Sequence, residues 1–313
     1  MARFILVRIL QCIVAFFGIL IVVFFLLRAS GDPALLMASP NFNQDQIQEI
    51  RVTMGLDKSW GEQLGLYLGS VIRGDFGESL FKPRTVISLI WDALPNTLKL
   101  MVPSFTIAMI LSFILGILAA TYRDSWWDNI VKFIAVLGQA LPGFWVAIMA
   151  VLIFSVNLGW LPAGGYGDGT IINWILPAFT LGYHSTAGVL RLTRSSMLDI
   201  LNSDFVRLAR IKGVPERLVI WKHAFRNALI PVVTFGAVIY THMLMGSVIT
   251  ETVFAWPGVG RLAYESIRHR DYTLIQGVII LFIALYVVVN LTVDILYCVM
   301  DPRVRVGRVG SKS

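Results

Sequence analysis

Residues 204–231 read DFVRLARIKGVPERLVIWKHAFRNALIP, and the meaning of this stretch decides how the rest of the chain is read. It is basic, lies between long apolar runs and is patterned as helix, turn, helix. Phe205, Leu208 and Ala209 recur at i, i+3, i+4 and form one apolar stripe. Arg207 and Arg210, three apart, form a charged stripe beside it. Gly213 stands where a left-handed helix cap needs a residue without Cβ. Pro215 suits the first position of a new helix, and Glu216 its first turn. The spacing predicts a short helix over 204–212 that turns sharply into a second one. A solvated basic loop that only fixes topology is the alternative, because cytoplasmic loops are usually basic. The Gly-Pro punctuation favours a built turn, a feature a membrane chain has little need of unless something docks there.

Working outward, composition sets the class. The chain is 57% hydrophobic with 14% charged residues, which excludes an ordinary soluble domain. Cys12 and Cys298 both lie in apolar runs and offer neither a disulfide framework nor metal-ligand spacing. Arg3 and Arg8 open the chain, and an apolar run of 19 residues follows at 9–27. That is longer than a cleaved signal's core and no A-x-A site follows, so it reads as an uncleaved first span.

Five further apolar segments follow, at about 97–121, 131–156, 173–197, 229–252 and 275–299. The fourth is the weakest, since it contains Pro177, His184, Arg191 and Arg194. Charge asymmetry settles it. Residues 191–226 hold eight basic side chains (Arg191, Arg194, Arg207, Arg210, Lys212, Arg217, Lys222, Arg226) against three acidic ones (Asp199, Asp204, Glu216). The tail after Asp301 adds Arg303, Arg305, Arg308 and Lys312. Six spans put these segments and Arg3 and Arg8 on the cytoplasmic side, whereas five leave the basic loop outside. The expected fold class is all-α integral membrane, with six transmembrane helices and both termini cytoplasmic.

Residues 29–96 are mixed and polar, with five basic against eight acidic side chains, and are expected to form an extracytoplasmic lobe. Within them Ser59 and Glu62 make a capping-box pattern. Leu64, Tyr67, Leu68, Val71 and Ile72 then predict one helical stripe packed on the membrane domain. Residues 122–130 read as a short cytoplasmic turn. Gly164-Gly165-Tyr166-Gly167-Asp168-Gly169 reads as an external turn, because its spacing fits neither phosphate-binding glycine pattern. Residues 253–274 form the last external loop.

The motifs of chemistry are missing. No GxxxxGK[ST], HExxH or GxSxG occurs. Asp75-Phe76-Gly77 mimics a kinase triplet without the loops that give it meaning. His184, His223, His242 and His269 fall in separate segments, so no metal site and no catalytic residues are expected. His184 and His242 are candidates for a translocation pathway, since polar side chains at membrane depth face a bundle interior or water. Asp294, near the end of the last span, is expected to pair with a neighbouring cation. Gly116, Gly138, Gly182, Gly188, Gly236 and Gly246 are read as close-packing positions between helices.

DFVRLARIKG…HAFRNALIP resembles the cytoplasmic "EAA" loop of ABC-importer permeases, in the form found in the peptide/nickel branch. Ala209 and Gly213 match the general Glu-Ala-Ala, three residues, Gly pattern; Arg207 and Leu208 depart from it, and Pro231 stands later than the general proline. Gly31-Asp32-Pro33, Met54-Gly55-Leu56-Asp57-Lys58, Gly74-Asp75-Phe76-Gly77, Trp160-Leu161-Pro162, WPGVG at 256–260, RHRDY at 268–272 and Asp294…Asp301-Pro302-Arg303 extend the resemblance over nearly the whole chain. The resemblance implies a type I importer permease of the cytoplasmic membrane that contributes half of a pathway for di- or oligopeptides. Glutathione-like peptides and nickel complexes are the alternative cargoes, and a nucleotide-independent channel is the competing class. The implied partners are a second homologous permease, two ATPase subunits, an extracytoplasmic binding protein and membrane lipid, with no nucleic acid. ATP and Mg are implied on the ATPase subunits, and no cofactor on this chain. The implied ATPase-docking coupling helix comprises Asp204, Phe205, Val206, Arg207, Leu208, Ala209, Arg210, Lys212, Gly213, Val214 and Pro215. Trp256, Pro257, Gly258, Val259 and Gly260 are the expected binding-protein contact.

The charge asymmetry makes a topological prediction. In intact cells, a membrane-impermeant thiol reagent labels a single cysteine placed at Gln46 but labels one at Ser311 only after lysis. Labelling of Ser311 without lysis rules out the six-span arrangement.

Overall fold

The computed structural model describes residues 2–29, 34–35, 42–53, 55–167 and 169–300. Gly31-Asp32-Pro33, Met54, Asp168, Asp301-Pro302-Arg303 and the remaining basic tail, with Arg305, Arg308, Ser311 and Lys312, lie outside the described residues. Among the described residues the regular elements are helices, with one isolated bridge between Glu78 and Thr85. In order they are α1 (Ala2–Ala29), α2 (Gln44–Thr53), α3 (Trp60–Arg73), α4 (Val86–Thr121), α5 (Trp126–Ala140) and α6 (Gly143–Ala150). There follow α7 (Ile172–Leu201), α8 (Asp204–Ile211), α9 (Glu216–Leu218), α10 (Arg226–Val253), α11 (Val259–Arg268) and α12 (Tyr272–Met300). α6 runs into a π-helical turn, Val151–Asn157, and a second one, Val219–Phe225, joins α9 to α10.

Among the described residues, four helices are long and apolar enough to cross a membrane: Ile5–Ala29, Val86–Thr121, Glu216–Val253 and Tyr272–Ile295. The segment read as a span at about 131–156 is a bent pair, Trp126–Ala140 and Gly143–Asn157, angled by 105°. The cause is Pro142, whose ring drives Leu141 into an extended conformation (ψ 128) and ends α5. α7 is 30 residues long, about 45 Å at 1.5 Å per residue. It is more polar than the four, so its place as a span rests on the charge argument. α4 begins at Val86, so residues 86–96, read as the end of the lobe, are helical and continue into the span without a break.

The described residues divide into two compact units, one within Met1–Asn96 and Pro257–Leu291, the other within Thr97–Trp256 and Thr292–Ser313. In the first, Leu20 and Phe24 of α1 pack with Tyr67 of α3 and with Ile280 and Ile283 of α12. Leu64, Leu68 and Val71 line the same cluster, but Ile72 departs from the predicted stripe and is 71% exposed. The predicted capping box starts α3: Glu62 N donates to Ser59 Oγ at 3.4 Å, and Ser59 N donates to Glu62 Oε2 at 3.1 Å. The Ser59 hydroxyl, which donates to Glu62 Oε2 at 2.9 Å, and then the Ser59 amide hold the Glu62 carboxyl below its ordinary pKa. Buried Asp271 accepts from Ser79 Oγ at 2.5 Å and from Leu274 N at 3.0 Å, so one carboxylate caps α12 and fastens the 79–81 loop to it.

In the second unit, α7 is the element that α4, α5 and α10 surround. Glycines set its approach distances. A Cβ on Gly138 of α5 would stand 2.5 Å from Ala187 Cβ, and one on Gly116 of α4 would stand 2.7 Å from Thr193 Cβ. Such small residues let helices meet where apolar side chains gain nothing over lipid. Hydroxyls along these helices satisfy themselves on the carbonyl one turn back: Ser104 on Leu100 (2.6 Å), Thr193 on Val189 (2.8 Å), Thr234 on Ile230 (2.8 Å). Ser112 also donates to Thr186 O, at 2.9 Å, across the α4–α7 contact. Outward, Ile107, Phe133 and Ile148 are over half exposed, a surface suited to hydrocarbon rather than water.

Arg194, which weakened the fourth span in the sequence, has a partner. Its Nε and a terminal guanidinium nitrogen donate to Asp128 Oδ1 and Oδ2 at 2.6 and 2.8 Å. Lys132 Nζ lies 2.8 Å from the same carboxylate, and Asp124 N donates to it at 3.1 Å. The Asp128 side chain is fully buried. Ser125, at the N-cap of α5, accepts from Asp128 N and fixes the helix start. Asp128→Ala leaves the largely buried Arg194 without its carboxylate and is expected to cost about 3 kcal/mol of stability in thermal unfolding of the purified protein. Asp128→Leu combined with Arg194→Met recovers most of that loss; if the double variant is no better than Asp128→Ala, the pair is not what holds α5 to α7.

Candidate functional site

The predicted 204–212 helix is α8, one residue shorter. It follows α7 after only Asn202 and Ser203. Ser203 holds the N-cap position but spends its hydroxyl on Ile200 O at 2.5 Å, which binds the new helix to the end of the old one. Asp204 lies in the first turn, where a carboxylate opposes the positive end of the helix dipole. Lys212 is the C-cap and Gly213 follows with φ +76. Val214 N then donates to Ala209 O (3.2 Å) and Gly213 N to Arg210 O (3.0 Å). This paired closure is the Schellman motif, and its left-handed residue is the glycine the sequence singled out. Pro215 stands at the N-cap of α9, one position before the expected one, with Glu216 in the first turn.

The faces of α8 differ from the predicted stripe. Val206 is fully buried and is the inward anchor. Phe205 and Leu208 point outward, 46% and 51% exposed, and Ile211 completes their row at 82%. Ala209 is half-buried. Ile211 was overlooked because a stripe counted at i, i+3, i+4 stops before it; continuing the i+3 step finds it. Leu218 and Trp221, 49% and 55% exposed, add apolar surface just beyond the turn. Three adjacent apolar side chains turned outward on one short, closed helix form a surface that a groove can receive.

Arg210, one of the two cations of the charged stripe, is paired within the chain. Its Nε and a terminal nitrogen donate to Glu216 at 3.1 and 2.7 Å, bridging the Gly213 turn. Another terminal nitrogen reaches Leu201 O, at 3.5 Å. The Glu216 hydrogen bonds raise the Arg210 pKa above its ordinary value. Arg210 therefore ties the end of α7, α8 and the start of α9 into one piece. Arg207 remains outward, 3.8 Å from Asp204, with both side chains largely exposed.

The other sequence candidates are dispersed. His184 Nδ1 lies 3.1 Å from Gly138 O. That carbonyl is the one Pro142, lacking an N–H, fails to serve within α5, so His184 donates in its place. His242 is exposed on α10. Trp256 is fully buried, edge-on to Tyr166 and Trp174 with ring centroids 4.9 and 5.5 Å away. Gly258, Val259 and Gly260 are buried too, and Val259 packs with Leu89, Leu262 and Leu274. Only Pro257 of the expected binding-protein contact is exposed. The conspicuous residues of WPGVG are thus turned inward in this chain. His269 stacks on Phe81, centroids 3.6 Å apart. Asp294 is half-buried on α12.

Two family models match the chain: the inner membrane component of binding-protein-dependent transport systems over residues 112–306, and the N-terminal part of such membrane components over residues 1–101. The oligopeptide transport system permease AppB of Bacillus subtilis is 40% identical, with 97% of this chain and 99% of that protein covered. The glutathione transport system permease GsiC of Escherichia coli is 39% identical over the same shares. Among solved structures, an inward-facing MetNI methionine ABC transporter chain matches with TM-score 0.60 at 15% identity, covering 69% of this chain and 97% of that one. The last likeness is one of fold.

The closure of α8 predicts a local defect. Gly213→Val puts a β-branched side chain at φ +76 and is expected to speed hydrogen exchange at Val214 N by about tenfold. Gly213→Asn, which tolerates that conformation, changes it far less. Equal exchange in both variants shows that the left-handed cap is not what closes the helix.

Proposed function

The chain belongs to the inner membrane components of binding-protein-dependent transport systems, and from that premise we propose that it is half of the translocation pathway of an ATP-driven peptide importer. As a multi-pass transporter permease it is not itself a catalyst. Two ATPase subunits bind ATP and Mg on the cytoplasmic side, and a second homologous permease forms the other half. An extracytoplasmic binding protein delivers the cargo. The chain crosses the cytoplasmic membrane six times with both termini inside. Relatives named for oligopeptide and glutathione transport support peptide cargo, with glutathione-like peptides next and nickel complexes as the remaining alternative. His242, exposed on α10, and His184 are the histidines proposed to line the pathway.

One observation carries the coupling mechanism: the outward row of Phe205, Leu208 and Ile211 on a helix locked at both ends. Ser203 at its start and Gly213 with the Arg210–Glu216 bridge at its end leave α8 little freedom of its own. A push on the row therefore moves the start of α10 and the end of α7 together. ATP binding, by drawing the ATPase subunits together, switches the permease pair between outward- and inward-open states through this contact. The groove on the ATPase takes the apolar row, as helix-in-groove recognition does elsewhere.

Replacing Phe205, Leu208 or Ile211 by Ala is expected to weaken ATPase-subunit binding by about 2 kcal/mol each. Arg207→Ala, at an exposed pair, costs under about 1 kcal/mol. Arg210→Ala preserves the row but loosens the bridge, so uptake falls more than assembly does. The assays are co-purification, substrate-stimulated ATP hydrolysis and uptake in the reconstituted complex. Wild-type values for all three row variants would show that α8 is a basic loop holding the topology and nothing more.

A further inference from the structure

In the unit within Met1–Asn96 and Pro257–Leu291, a cavity of about 500 Å³ opens beside the last turn of α1. Arg28, Lys58 and Arg73 line it, against one carboxylate, Asp75. The cavity is built rather than incidental. Arg28 Nε donates to Gln63 Oε1 at 2.7 Å, and its guanidinium lies 4.0 Å from the centre of the Phe24 ring. Gln63 in turn donates to Leu56 O and Lys58 O, at 3.1 and 2.8 Å, so the rim that carries Lys58 is fixed to Arg28.

Two hydroxyls give the cavity its meaning. Tyr67 and Tyr272 line it and are 7% and 5% exposed. Neither hydroxyl has a hydrogen bond of ordinary geometry among the described residues, although the Gln276 side chain stands beside Tyr67. Burying a hydroxyl without a partner is costly. An acceptor in the cavity would serve both. A group that accepts from two hydroxyls and lies among three cations is an anion, and a phosphate has the oxygens for it.

The setting identifies the source of the phosphate. Arg28 ends the apolar run Ile5–Ala29, and the opposite wall is the first turns of the span Tyr272–Ile295, so the cations lie at the depth where a bilayer's hydrocarbon gives way to headgroups. Val71, Phe76 and Ile280 supply an apolar wall beside them. We propose that this cavity binds the phosphate of an anionic phospholipid headgroup, with the Tyr67 and Tyr272 hydroxyls and Arg28 and Arg73 as its contacts. The bound lipid fastens α1, α3 and α12 to one another at the membrane surface. The inference does not depend on the cargo or on the docking of α8.

The experiment uses the full chain, delipidated in detergent and offered phosphatidylglycerol or phosphatidylcholine, with retained lipid measured by native mass spectrometry. Phosphatidylglycerol is expected to be retained in preference. Tyr67→Phe with Tyr272→Phe keeps both rings and lowers its affinity about tenfold, the loss expected for hydrogen bonds to a charged group. Arg73→Gln does the same, whereas Arg84→Gln, whose guanidinium pairs with Asp92 at 2.7 Å outside this cavity, leaves it unchanged. Each variant is compared only as monodisperse protein. Equal retention of the two lipids by the natural chain overturns the proposal, as does undiminished phosphatidylglycerol binding in both the double Phe and the Arg73→Gln variants. Inorganic phosphate that binds as tightly as phosphatidylglycerol, and is equally weakened by the Phe changes, overturns the lipid in favour of a soluble anion.

Discussion

A peptide group inside hydrocarbon has no water to bond, so each N–H and C=O must find its partner within the protein. Nearly every feature of this chain follows from that demand. It makes the spans helical. It makes their serines and threonines turn back on their own carbonyls, as Ser104 and Thr193 do. It also gives a task to any residue near a break. Pro142 ends α5 and leaves Gly138 O without its helical donor, and His184 of α7 supplies one.

Charge inside the bundle is handled in the same way. Asp128 is buried, and it survives there because Arg194, Lys132 and the Asp124 amide share its two oxygens. The network joins the start of α5 to the C-terminal half of α7. The two glycine contacts on α7, at Ala187 and Thr193, set the distances at which such short bonds form. Close packing and ion pairing therefore support one another, and the end of α7 that carries α8 is held firmly.

That firmness is what α8 needs for the docking role proposed for it. A groove on a partner can transmit force only through a body that does not yield. α8 obtains rigidity from a serine on the carbonyl before it, a left-handed glycine after it and an arginine bridging the turn. Its apolar row is left outward because Val206 alone anchors it inward. The same logic of fixed rims recurs around the cavity at Arg28, where Gln63 ties the end of α1 to the loop of Leu56 and Lys58 by three hydrogen bonds.

Local patterns in the sequence determined much of this by themselves. Apolar run lengths and the uneven placement of Lys and Arg defined a membrane protein of helices. Gly213, with Pro215 behind it, marked the turn after α8, and Ser59 with Glu62 marked the start of α3. These signals act within a few residues, where backbone conformation and capping are decided. Directions and distant partners were decided only by the fold. Which side of α8 faces outward depends on what Val206 meets. Trp256 and Val259 looked like surface landmarks until packing enclosed them. Arg194 looked like a defect until Asp128, 66 positions earlier, came beside it. Tyr67 and Tyr272 share one cavity although some two hundred residues separate them. Such pairings depend on the path of the whole chain, because burial and hydrogen bonding are set by neighbours in space.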